Sequence, residues 1–286
     1  MGAISSLFGY LLNALYTAFN NYGIAIIVFS IILRIILIPL TVKQQKSLKK
    51  SAQLQEEMKE IQRKYKNNPE KLNQETIDLY KREKLSPFAG CFSSIIQIVI
   101  ILSVFWLVSQ PLTYMKKIDT NVINDYKTQI QESGEQATYA EIAIINKYGT
   151  QDARVSLNMD FLGLDLSKVP SSNLKDWTVY IIPLLYVISS VVSIKINNNM
   201  TKKKKDDKKA ITDGTNMEVQ NEPNEMEAME AMNKNMMYMI PLMSVFIAFI
   251  APLGLALYWF ISNVLIIIEK LIIDAVIKHK EEKQNV

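Results

Sequence analysis

Arg34 is the residue whose chemistry most demands an explanation. It lies in the middle of the apolar run IAIIVFSIILRIILIPL, where an arginine costs about 2.5 to 3.5 kcal/mol on insertion scales, so it must face a water-filled cavity or a partner. It is too far from either polar flank for its side chain to snorkel out. No span offers an acidic partner, because Glu269 falls at the inner end of the fifth apolar segment. Arg34 is therefore expected to be an uncompensated positive charge in an aqueous pocket. Ser30 stands one turn before it, Ser94 and Gln97 share one face of the second apolar segment, and Ser262 and Asn263 lie in the fifth. Singly, each reads as an interhelical hydrogen bond worth about 0.6 kcal/mol. Together with Arg34 they outline a groove.

Other chemistry is excluded early. A single cysteine, Cys91, allows no internal disulfide, cysteine zinc site or iron–sulfur cluster. The only histidine, His279, lies in a polar tail, which removes bis-histidine haem and a buried Ser–His pair. There is no Gly-rich phosphate loop, hence no nucleotide site. No catalytic, cofactor-binding or metal-binding residues are expected.

The elements that must hold Arg34 follow from the distribution of apolar residues. Of 286 residues 49% are hydrophobic and 21% charged, and the apolar ones are gathered into long blocks, so the chain reads as an all-α membrane protein. Five spans are expected: residues 23–42, 87–109, 177–195 and a hairpin of two over 236–268, closed by a Pro252/Gly254 corner. The last two are short for a bilayer, which suggests local thinning. Lys43, Lys46, Lys49 and Lys50 open the first loop, and Lys195 and Lys202 to Lys205 open the third. By the positive-inside rule both loops are cytoplasmic, with the N-terminus outside and the C-terminal tail, 269–286, inside.

Residues 1–22 carry no Lys or Arg and no Ala-x-Ala site, so they do not read as a secretory signal. Ile4, Leu7, Phe8, Leu11, Leu12, Leu15, Tyr16 and Phe19 form the stripe of an amphipathic helix in the outer interface. In the cytoplasmic segment 43–86, Leu54, Met58, Ile61 and Tyr65 alternate by four and three residues, a coiled-coil seam. Asn68-Pro69 then caps and starts a second helix through Leu72, Thr76 and Leu79, making a helical hairpin. The extracytoplasmic loop 110–176 contains two short helices, about 119–133 and 135–148, and a β-like stretch, RVSLNMDFLGLDL. Residues 196–235, with KKKKDDKK and little hydrophobic content apart from Met, read as a disordered cytoplasmic linker.

NYGIAIIVFSIILRIILIPLTVKQQKSLKK, SPFAGCFSSIIQIVI, FLGLDLSKVP and IPLMSVFIAFIAPLGLALYWFISNVLIIIEK occur in this order. They resemble the YidC-type membrane protein insertase family over all five spans and the charged hairpin. The resemblance implies a five-transmembrane-helix bundle with a hydrophilic groove open to cytoplasm and lipid and closed to the outside, with Arg34, Gln97, Trp259 and Ser262 near it. It implies nascent membrane proteins as substrates, partnership with the Sec translocon and ribosome, the lipid bilayer of a bacterial cell membrane as working medium, and no cofactor or specific nucleic-acid sequence. The chain departs from commoner forms in lacking a large outer β domain, a lipoprotein signal and a Leu-Pro where it has Phe92-Ser93. Two other classes compete. A small-solute or anion transporter would use Arg34 as its site, but no internal repeat or acidic coupling residue supports one. An intramembrane enzyme would need paired Asp or a Ser/His constellation within the spans, and none occurs.

Overall fold

The computed structural model describes residues 2–83, 89–135, 137–209, 243 and 246–284, and the backbone alone for 44–53, 55, 56, 59, 89–94, 197–209, 274 and 277–284. Its helices are α1 (Gly2–Phe19), α2 (Tyr22–Lys64), α3 (Pro69–Arg82), α4 (Ala89–Ser109), α5 (Pro111–Tyr114), α6 (Thr120–Glu132), α7 (Ala140–Tyr148), α8 (Ile181–Lys209) and α9 (Leu253–Gln284). Three stretches are long and apolar enough to cross a membrane: Tyr22–Lys43, Trp177–Ile196 and Leu253–Ile273. A shorter apolar stretch, Ile95–Ser109, lies in α4. The expected span before the Pro252 corner falls mostly outside the described residues, as do linker residues 210–235; residues 246–250 are helical.

The apolar part of α9 corrects one expectation. Its window runs to Ile273, about 32 Å at 1.5 Å per residue, so it matches a bilayer core without thinning. Glu269 and Lys270 thus fall within it.

The helices also continue where loops were expected. Span and arm form one 43-residue helix, α2, and α8 runs unbroken through KKKKDDKK to Lys209, taking in residues 196–209 of the expected linker. An apolar span has already met the cost of nucleation, and Lys, a good helix former, extends the helix cheaply. Helix α3 begins at Pro69 with the Asn68 side chain accepting from the Lys71 amide. It folds back on the end of α2, where Leu54 and Leu79 are buried, Thr76 meets the Met58 sulfur and Arg82 pairs with Glu57.

Helix α1 turns into α2 at Asn20, in the left-handed region at φ 48°, a conformation Asn tolerates. It packs against α2, α4 and α5, with Phe8 edge-on to Phe29 at 5.7 Å. Phe8, Leu11, Leu12, Leu15 and Tyr16 of the expected stripe join the core, but Leu7 and Phe19 are exposed. Ser5 and Gly9, which the stripe did not include, are buried as well. Small residues allow backbones to come together, and a Cβ on Gly9 would collide with the Tyr114 carbonyl.

Residues 110–176 hold α6 and α7 at the expected places, capped by Asp119 and ended at Ser133; α7 starts later than expected, at Ala140. The β-like stretch reduces to the pairs Asp160–Phe161 and Leu164–Asp165 about a turn with Leu162 and Gly163 both at positive φ, the geometry of a tight hairpin. The rest of the stretch binds helix ends instead of another strand. Asn158 O accepts from the Tyr22 amide, Asp160 O from Asn21 Nδ2, Leu166 O from the Gly254 amide and Lys168 O from the Leu253 amide. One segment therefore closes the N-terminal ends of both α2 and α9.

Nearby, buried Glu141 accepts from the amide and hydroxyl of Thr113, tying α7 to α5; burial pushes its carboxyl pKa up. Asp176 accepts from Lys168 at 2.8 Å and caps the turn at Trp177–Tyr180 through the Thr178 amide and hydroxyl. Lys168 first, then Thr178, pull its carboxyl down from 3.8 to about 2.

Two outcomes follow from these contacts. Gly9→Ala should destabilise the protein by about 1–3 kcal/mol through overpacking, read as a lower melting temperature in detergent. A depressed carboxyl contributes stability that is present above its ordinary 3.8 and lost as pH falls toward about 2. Asp176→Asn should therefore flatten the acid limb over that interval, measured by hydrogen exchange at residues 164–180. Glu141, with a raised pKa, acts in the opposite sense and weakens the fold as pH rises above its ordinary 4.5.

Candidate functional site

The site is built from α2 and α9, which pack side by side in the same direction from their closed ends. Gly254 lies beside Tyr22, Ile26 and Val108. From that level Arg34 is about 18 Å along α2 and Glu269 about 22 Å along α9. The axial offset of about 4 Å is within the reach of two long side chains.

The two form an ion pair, with the Arg34 side chain 15% exposed and that of Glu269 7%. This overturns the expectation that Arg34 is an uncompensated charge. The carboxylate counted as lying at the inner end of its span is inside it and within reach. The pairing is one of close charge rather than aligned hydrogen bonds: Arg34 Nε and both Glu269 oxygens are buried without a hydrogen bond of good geometry among the described residues. Tyr258, buried and hydrogen-bonded with Ser262, lies in the field of Arg34, as does Lys270.

The other expected groove residues do not form one constellation. Ser30 is buried and donates to the Ile26 carbonyl of its own helix at 2.7 Å. Gln97 is exposed on α4, and the Ser94 side chain lies outside the described residues. Trp259 and Asn263, one residue further round α9 than Tyr258 and Ser262, face α8. Trp259 lies 6.3 Å from the Tyr186 ring, and Asn263 Nδ2 donates to Ser189 Oγ at 2.9 Å and Ser190 Oγ at 3.3 Å. The interhelical hydrogen bond is thus what Asn263 makes. The spacing of Tyr258, Ser262 and Glu269, which share one helical face, was the available signal for the missed carboxylate.

The sequence pattern of the 60Kd inner membrane protein family matches residues 14–282. The chain belongs to this family. The match takes in α2 to α8 and α9 as far as residue 282, and with them both members of the ion pair. Among relatives, the membrane protein insertase YidC of Treponema denticola is 25% identical over 270 residues, 94% of this chain and 37% of that protein. The membrane protein insertase YidC 2 of Listeria innocua is 27% identical over 269 residues, 93% of this chain and 68% of that relative. The membrane protein insertase YidC of Fusobacterium nucleatum is 41% identical over 96 residues, 34% of this chain and 47% of that protein. The chain covers less than two thirds of the Treponema and Fusobacterium proteins. Family membership and the apolar helices make it a multi-pass, all-α membrane protein.

Among the described residues, no three His, Cys, Asp or Glu side chains gather as a metal site would require. What the arrangement offers is a partly exposed guanidinium and a carboxylate within an apolar bundle. It suits ionic recognition. Asn263→Ala should cost about 0.6 kcal/mol of stability by losing its bonds to α8, measured by unfolding in detergent.

Proposed function

We propose that this chain is a membrane protein insertase and chaperone of a bacterial cell membrane. It would guide the polar tail of a nascent membrane protein past Arg34 while the adjoining apolar segment enters lipid. The carrying observation is a charged pair inside bilayer-length helices of a chain that belongs to the 60Kd inner membrane protein family. Ionisable residues at such depth mark paths for polar cargo, and the relatives named above are membrane protein insertases.

The physical task is to move a polar tail through a medium that rejects it. A groove entered from the cytoplasm shortens the barrier, and a guanidinium in surroundings of low dielectric attracts an acidic tail more strongly than it would in water. Partition of the apolar segment and the membrane potential supply the drive. No bond is made or broken, so the chain is not an enzyme, and no cofactor takes part. The lysine-rich flanks favour an arrangement with the closed end, where segment 158–168 covers α2 and α9, on the outer side. The arm formed by the end of α2 with α3 then projects into the cytoplasm, where its seam and charged faces suit nascent chains, the Sec translocon or the ribosome.

Arg34→Ala alone is a poor test, since an unpaired buried Glu269 would cost about 3–5 kcal/mol. The double variant Arg34→Ala/Glu269→Gln removes both charges. In liposomes it should insert a single-span substrate with an acidic tail roughly tenfold more slowly, the loss expected for one charge-assisted contact. Arg34→Lys should retain most activity, because a point charge suffices. Undiminished insertion by the double variant would remove Arg34 from the mechanism, and solute flux without insertion would place the chain among transporters.

A further inference from the structure

Glu269 is as costly in an apolar helix as Arg34, and packing alone would accept its neutral isostere, glutamine. It is also a poor brace. Its contact with Arg34 lacks aligned hydrogen bonds, and a buried ion pair contributes little net stability once desolvation is counted. Helix α9 is already held against α2 by a neutral contact, Gly254 with Tyr22 and Ile26. Chemically, however, Glu269 presents to Arg34 the same group that an acidic substrate tail would present.

We propose that Glu269 is a specificity-determining residue: an internal carboxylate that occupies Arg34 and yields it to substrate tails carrying two or more carboxylates. The inference rests on the insertase reading above. The exchange is ionic and involves no covalent step. Glu269 is tethered beside Arg34, so its effective concentration there exceeds that of a mobile tail, and a tail with one carboxylate competes at a disadvantage. A tail with two carboxylates offers Arg34 two ways of being engaged, and the second raises the local concentration of carboxylate against the tethered Glu269. The 15% of the Arg34 side chain left exposed provides the edge at which a tail first makes contact.

The test uses the full chain in liposomes and three single-span substrates whose tails carry zero, one or two aspartates. Wild type should insert the two-aspartate tail at least about fivefold better than the one-aspartate tail, the low end of ordinary coupling between competing ligands. In Glu269→Gln that ratio should fall to near unity, through a gain for the one-aspartate tail. Glu269→Asp, which keeps the charge on a shorter stem, should fall between the two and serves as the readout if the Gln variant does not fold. An unchanged ratio in the variant that folds overturns the proposal. So does an equal loss for every tail together with a lower melting temperature, which would make the pair a structural brace. Failure of the underlying reading is separately visible: Arg34→Ala/Glu269→Gln would still discriminate between tails.

Discussion

The backbone hydrogen bonds at the N-terminal ends of α2 and α9 are the constraint on which the remaining geometry depends. A helix start leaves amide groups without partners inside the helix, and an unpaired amide in an apolar setting costs several kcal/mol. Here the Leu253 and Gly254 amides find the carbonyls of Lys168 and Leu166, and the Tyr22 amide finds that of Asn158. Because one short segment satisfies both helices, it sets their axial register. Close contact of Gly254 with Tyr22, Ile26 and Val108 fixes the spacing. Arg34 and Glu269 then meet well along the bundle as a consequence of how the helices begin.

The ion pair is better understood through function than through stability. Its two members are both costly to desolvate, and their contact leaves hydrogen-bonding capacity unused. Helix α9 separates two tasks by a rotation of one residue: Tyr258, Ser262 and Glu269 turn toward α2, while Trp259 and Asn263 turn toward α8. The face toward α8 holds the bundle with neutral contacts. The one toward α2 carries charge that packing does not require.

The helices continue beyond the apolar stretches, α2 doing so past Pro39, an interior residue that removes one backbone donor. The α2 helix runs from Tyr22 to Lys64 and is met by α3 through Leu54, Met58, Thr76 and Leu79. At the other end, Gly9 brings α1 close enough to α5 to close the bundle against Tyr114.

Much of this was legible in the sequence because it depends on local chemistry. Apolar run length marked spans at 23–42 and 177–195, close to the apolar stretches Tyr22–Lys43 and Trp177–Ile196, but ended the last one at 268, short of Ile273. Asn68 before Pro69 marked the start of α3, and Asp119 and Ser133 the limits of α6, since caps are satisfied within a few residues. The cost of a buried guanidinium singled out Arg34, and ordered motifs pointed to the family. The partner of Arg34 was not legible. Whether Glu269 lies at the end of a span or inside it depends on the axial offset of two helices, fixed by carbonyls of residues 158–168 distant in sequence from both. The same holds for the direction of Asn263, a matter of α9 rotation, and for Gly9, whose value is the room it leaves beside Tyr114. Sequence determined which residues the membrane would penalise, because burial cost is a property of the side chain. Tertiary structure decided which of them face one another, because register and rotation are set by contacts between distant segments.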